Sequence, residues 1–304
     1  MESLLNLTIN NDNGKTVLSY KKWYNEHQIP KATIFFIHDV YSHIERYNNI
    51  CNTLLSNGYV VYGLDLREHG KNVLATLSDK YNTYIEDLNH LIKQAINDYP
   101  KNKIILIGHG IGSTIITRYT QLYPDSISGI ILSSMKFNKK SNLYFKKILF
   151  NIAYKIKSKD YTDKFITNLF INSNNKKFKP VRTEFDWLNQ NEAEVDSYIN
   201  DNLCGNDLNL KISTIKVLNN LAIDTRKNLK VINKDLPIYI ISGSHDSTNK
   251  FSKQTLKLKK KLSKLKIKNL KMTIYKNLRH EIFLEDNKQD VFSDILSWIS
   301  KTIN

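Results

Sequence analysis

The chain predicts an α/β fold: a mostly parallel sheet flanked by helices and interrupted by a helical cap insertion. Three observations carry this reading. Short β-branched runs alternate with segments of helical periodicity over residues 1–133, which implies βαβ units and parallel strands. The alternation stops near Ser134 and resumes only after about Asn233. A glycine-flanked turn, Gly108-His109-Gly110-Ile111-Gly112, joins one apolar run to a helical one.

Leu5 to Ile9 alternates and Val17 to Trp23 is a second strand-like run, with Asn11-Asp12-Asn13-Gly14 between them as a hairpin turn. Ala32 to Ile37 is an apolar strand, followed by a polar loop and a helix over Ile50 to Asn57 that Gly58 terminates. Tyr59 to Leu64 is the next strand. Leu88, Leu91, Ile92 and Ile96 share one face of a helix over Ile85 to Ile96. Strand Ile104 to Ile107, helix Thr114 to Leu122 and strand Ile127 to Leu132 complete the first part of the core. Beyond the basic, helix-patterned insertion come strand Leu236 to Ser242, helix Lys250 to Leu265, strand Leu270 to Tyr275 and helix Asp290 to Ile303. The expected division is therefore core 1–133, cap 134–233 and core 234–304.

Composition narrows the function classes. With 304 residues the chain can bury a full core. No apolar stretch approaches the roughly 20 residues that span a bilayer, and the N-terminus lacks the basic start and apolar core of a secretory signal. Two cysteines, Cys51 and Cys204, make no disulfide framework, so a cytoplasmic location is expected. The net charge of +16 favours anionic surfaces. The Lys-, Asn- and Ile-rich composition accounts for it without a dedicated site, and the absence of a zinc-finger or RNA-binding motif leaves no nucleic-acid partner expected.

The turn after Ile104 to Ile107 has the form of a nucleophile elbow, G-x-S-x-G, in which a strained strand-to-helix turn lifts a serine oxygen above the sheet edge. Its middle position here is Gly110. Asp246 and His280 each follow a later strand. In an open parallel sheet such positions share the edge where ligands bind, in the order nucleophile, acid, base. Backbone N–H groups of Ile111 and Val40 are the expected oxyanion-hole donors. Ser113 is the rival nucleophile, but it lies beyond the elbow in the first helical turn. Arg67 and His69 read as loop-structuring groups, and Cys204 as a buried inert thiol.

At these motifs the chain resembles bacterial lysophospholipases and monoacylglycerol lipases of the α/β-hydrolase superfamily, a group also called serine aminopeptidase-like. The family pattern H-G-x-x-E-H-x-x-R-Y stands as HDVYSHIERY, D-x-R-G-H-G-x-S as DLREHGKN, and L-L-G-H-S-M-G-S as LIGHGIGS. The insertion carries TEFDWLNQNEAEVDSYINDNLCG, and the end carries SGSHD and RHEIFLED. The resemblance runs from about Ser19 to Ile303. It implies an α/β-hydrolase fold and hydrolysis of a monoacyl lipid ester or small ester through an acyl-enzyme, with no metal or organic cofactor. The triad it implies is Gly110 in place of serine, Asp246 and His280, with His38 and His109 at the substrate.

The departures gather at the centre: Asp39 for glycine, Ser42 for glutamate, Glu68 for glycine, Asn72 for serine, and Gly110 itself. Asp39 places a carboxylate beside a hole meant for a negative oxygen, which repels the developing charge unless the side chain turns away. An impaired or inactive hydrolase that still binds monoacyl lipid is the expectation. The alternatives are a water-mediated esterase using the Asp246–His280 dyad, or a non-catalytic protein of the lipid surface. The segment NLYFKKILFNIAYKIKSK, apolar with Lys146, Lys147, Lys155, Lys157 and Lys159 along it, suits both a lid over an acyl pocket and peripheral contact with an anionic membrane.

Overall fold

Continuous apolar runs in this sequence become strands buried on both faces. A computed structural model describes the chain apart from residues 12–13, 76–80, 159, 172–174, 176 and 205–209. The hairpin β1 (Glu2–Asn11) and β2 (Gly14–Trp23) is antiparallel, while the tip of its turn lies outside the described residues. In β3 (Thr33–Ile37), β4 (Val60–Leu64), β5 (Ile104–His109), β6 (Gly129–Ser133) and β7 (Ile238–Gly243) every residue is buried, as expected for central parallel strands. β8 (Leu270–Tyr275) closes the sheet as a half-buried edge. The order is β1-β2-β4-β3-β5-β6-β7-β8, with β2 antiparallel to β4 and the rest parallel.

The pleat sorts side chains onto two faces. Phe35 and Ile37 join the core that also takes Leu88, Leu91 and Ile92 of α2 (Asn82–Asp98) and Ile115 and Ile116 of α3 (Ile111–Leu122). Ile34 and Phe36 face the other way, against Ile50 and Leu54 of α1 (Asn48–Ser56). Between β6 and β7 the described residues form α4 (Lys140–Ile156), α5 (Lys164–Ile171), α6 (Glu192–Ile199) and α7 (Ile212–Lys227), none of them contributing to the sheet. α7 packs on both α4 and α3, so it joins the inserted helices to the core. After β7, α8 (Lys253–Lys264) covers the α2–α3 face and α9 (Lys288–Ile303) the α1 face.

Two local expectations shift. Ala95, not Ile96, continues the buried stripe of α2, and Ile96 is exposed. The helix expected from Lys250 starts at Lys253, because Lys250, Phe251 and Ser252 all take positive φ.

Candidate active site

Four strand ends meet at the carboxyl edge of the sheet. β5 ends at His109, Gly110 turns the chain with φ 51° and ψ −112°, and α3 begins at Ile111. The flanking glycines are dictated by close approach: a Cβ on Gly108 would lie 2.5 Å from the Gly112 carbonyl carbon, and one on Gly112 would lie 2.2 Å from the Ile37 oxygen. Strand, helix and β3 are thus too near for side chains, and the turn at residue 110 is forced into a region that L residues seldom adopt.

At Gly110 the obstruction is of another kind. A Cβ built there would lie 1.9 Å from Asp39 Cγ, with the two carboxylate oxygens at 2.0 and 2.2 Å. The Asp39 carboxylate, projecting from the end of β3, occupies the space of a residue-110 side chain. It does not turn away, as charge repulsion in an oxyanion hole would require. The Ile111 N–H donates to Asp39 Oδ1 at 2.6 Å, and His280 Nε2–H donates to Oδ2 at 3.0 Å. One carboxylate therefore takes both the oxyanion donor and the proton-carrying face of the histidine.

On its other side His280 Nδ1 lies 3.1 Å from Asp246 Oδ2. Asp246 is fully buried, and its Oδ1 accepts the Thr248 N–H at 2.9 Å and the Thr248 hydroxyl at 2.8 Å. Burial alone would lower the His280 pKa, but Asp246 and Asp39 outweigh it and push the value up to about 10. Burial works to raise both carboxylates, yet the bond and charge of His280 hold Asp39 well below the usual range, and those of His280 lower Asp246. His280 is thus an imidazolium between two carboxylates. It has no lone pair to offer a water or a hydroxyl near neutral pH, which a general base must have.

Other residues singled out in the sequence take varied places. Val40 lines the cavity beside Gly110 and Ile111. His38 is completely buried; Leu66 N–H donates to its Nε2 at 2.9 Å, so Nδ1 carries the proton and donates to the Asp39 carbonyl at 2.6 Å. Burial lowers its pKa to about 3, so this neutral ring braces the Asp39 loop. His109 is equally enclosed: Nδ1 lies 2.9 Å from the Ser133 hydroxyl and its ring 4.7 Å from that of His280. It too is a packing element beneath the site. Ser113 is fully buried, its hydroxyl donating to the carbonyls of Gly108 and Ser133, and so is no nucleophile. Arg67 makes a bidentate pair with Asp87, and burial pushes the Cys204 thiol up to about 12.

Two clusters bring metal-ligating atoms together among the described residues: His109, His280 and Glu281, and His43, Asp201 and Cys204. In the first, His280 spends both nitrogens on carboxylates. In the second, His43 Nε2 and Asp201 Oδ2 already bond at 2.7 Å.

Sequence reading missed three features. Thr248 reaches both Asp246 Oδ1 and His280 Nδ1. Lys136 and Lys146 line the cavity that opens from Asp39 and Gly110, which has a volume of about 40 Å³. Lys146, one of the five lysines along NLYFKKILFNIAYKIKSK, points inward and is buried. Its signal was available: three residues after Leu143 and four before Phe150, it belongs to the inward stripe of α4.

Residues 28–287 match the family described as Hydrolase_4, serine aminopeptidase S33. The chain belongs to this family. It is 23% identical over 275 residues to the monoacylglycerol lipase of Mycolicibacterium smegmatis, covering 89% of this chain and 88% of that protein. It is 25% identical over 279 residues to the monoglyceride lipase of Homo sapiens, covering 90% and 83%. Among solved structures, a thermostable carboxyl esterase from Bacillus coagulans in complex with glycerol superposes with TM-score 0.87, at 20% identity and 99% coverage of both chains. The fold is that of an α/β hydrolase, and the relatives make the chain lipase-like.

Proposed function

We propose that this lipase-like protein binds a monoacyl lipid or small ester in the cavity beside Gly110 and does not turn it over through an acyl-enzyme. The observation that carries this is the Asp39 carboxylate lying where a residue-110 side chain would lie, bonded to both Ile111 N–H and His280. A serine hydrolase needs an alkoxide, a neutral imidazole to generate it and a free oxyanion hole; Asp39 fills the space of the first, keeps His280 protonated and occupies the Ile111 donor of the third. The names of the relatives, monoacylglycerol and monoglyceride lipases, support the ligand class. The same contacts weigh against water activation by the Asp246–His280 dyad, since Nε2 is engaged and protonated.

The test is turnover of monoacylglycerol and a short-chain p-nitrophenyl ester, beside calorimetric binding of a non-hydrolysable monoalkylglycerol ether. Binding without turnover above a serine-less background is expected. Turnover at the rate of an ordinary lipase refutes the reading.

A second element of the proposal concerns the outer face of the cap. Phe145, Ile148, Ile152 and Ile156 of α4 and Phe165 of α5 are exposed, with Lys140, Lys147, Lys155 and Lys157 exposed or partly exposed around them. An apolar stripe edged by cations suits the interface of an anionic bilayer, and no helix among the described residues is long and apolar enough to cross a membrane. Sedimentation with vesicles is expected to require anionic lipid and to weaken with salt. Indifference to both would remove this element.

A further inference from the structure

We propose that the ligand held in this cavity is an anion, a long-chain monocarboxylate whose head group sits on Lys146 and Lys136 and whose chain lies against the apolar wall. This rests on the reading of the protein as a silent acyl binder and narrows its ligand class. The first observation is Lys146. It is 3% exposed, on the inward stripe of α4 between Leu143 and Phe150. Its ammonium donates to the Leu169 carbonyl, and among the described residues no carboxylate lies within ion-pair distance of it. The charges that act on it are those of Lys136 and Lys250, both repulsive. Buried charges are ordinarily paired; this one lacks an anion.

The second observation is the balance of the whole cavity end. Asp39 and Asp246 are carboxylates, His280 is an imidazolium, and Lys136 lies in the field of both carboxylates while donating to the Ile171 carbonyl at 2.8 Å. Those four groups compensate one another. Lys146 is left as one unbalanced positive charge in the same lining. Leu143, Phe170, Leu218 and Ala222 provide the apolar wall. A neutral ester would leave Lys146 uncompensated, whereas a carboxylate completes it with charge-assisted hydrogen bonds.

A purely structural role for the two lysines, holding the last carbonyls of α5, makes a different prediction. It gives no preference between charged and neutral ligands of equal chain length. The experiment is calorimetric titration of the full-length protein with dodecanoate, dodecanol and monododecylglycerol ether below their aggregation limits, at two salt concentrations. Dodecanoate is expected to bind about tenfold or more tighter than dodecanol, with little salt dependence because the pair is buried. Lys146→Met is expected to abolish that preference while retaining dodecanol binding, and Lys146→Arg to retain the preference. Equal affinity for dodecanoate and dodecanol overturns the inference and leaves acyl binding standing. Failure of all three probes to bind overturns the acyl-binder reading itself. A preference that survives in Lys146→Met removes Lys146 from the site. Should Lys146→Met not fold, the wild-type comparison and Lys146→Arg still decide.

Discussion

Gly110→Ser alone is expected to damage the protein without restoring a hydrolase, whereas Gly110→Ser combined with Asp39→Gly restores one. The single substitution puts a Cβ 1.9 Å from Asp39 Cγ, far inside any real contact, so the carboxylate must leave. Leaving breaks its bonds to Ile111 N–H and His280 Nε2, each worth about 1.5–3 kcal/mol as hydrogen bonds to charged groups. A side chain at φ 51° adds about 1–3 kcal/mol of backbone strain. The loss is about 4–9 kcal/mol, a large part of the roughly 5–15 kcal/mol that stabilises a domain. In the double variant the clash is gone, the two lost Asp39 bonds and the backbone strain remain as costs, and the imidazole regains a hydroxyl to deprotonate. Because triad members act as a unit worth about 10⁶ in kcat, the double variant is expected to exceed the parent by about 10³ or more. Thermal denaturation, p-nitrophenyl butyrate hydrolysis and fluorophosphonate labelling at position 110 read the three consequences. A single variant as stable as the parent and as active as the double variant would show that Asp39 does not fill that space, and the reasoning would fall.

Further outcomes follow from the same contacts. The His280 pKa is raised from its ordinary 6.5 to about 10, so its pairing contributes stability fully present below about 6.5 and lost as pH rises through about 10. Asp39 is shifted down, so its share is present above its ordinary value and lost as pH falls through the depressed one. The stability difference between parent and Asp39→Asn, measured in urea, is therefore expected to be largest between those limits and to shrink above pH 6.5; a difference flat from pH 5 to 10 contradicts it. Asp87→Ala strips Arg67 of its bidentate carboxylate in a buried site, with an expected cost of about 3–5 kcal/mol by urea denaturation. Asp201→Ala removes the bond that ties His43, after β3, to the chain following α6. Limited proteolysis is expected to cut the inserted segment faster while the midpoint of global unfolding changes little.

Much of this molecule can be read from its letters because short-range rules act alone there. Ile104 to Ile107 is apolar and β-branched, and a central parallel strand needs little else. The two glycines beside Gly110 announce a turn in which backbones nearly touch. Where the reading strayed, a distant contact decided. Lys146 is not told apart from the other lysines of its segment, yet helical spacing ties it to Leu143 and Phe150. The motifs that hold His38 and His109 do not show that both rings are buried and bonded to Leu66, Asp39 and Ser133. Lys250 to Ser252 carries helix-forming letters, and a left-handed run forms there nonetheless, fixed in part by the Phe251 N–H bond to the Asp246 carbonyl. Asp39 and Gly110 are distant in sequence, and each alone reads as a defect. Only the register that sets Ile37 beside Gly108 brings them together as a matched pair.

That match has a historical consequence. With the carboxylate seated against a bare turn, neither position can revert first: a hydroxymethyl at the turn collides with the acid, and removal of the acid strands a charged imidazole over an empty hollow. A lineage that reaches this arrangement would cross a trough of unstable intermediates to leave it, so the silence of the old nucleophile is held in place by folding itself, independent of any demand on the chemistry.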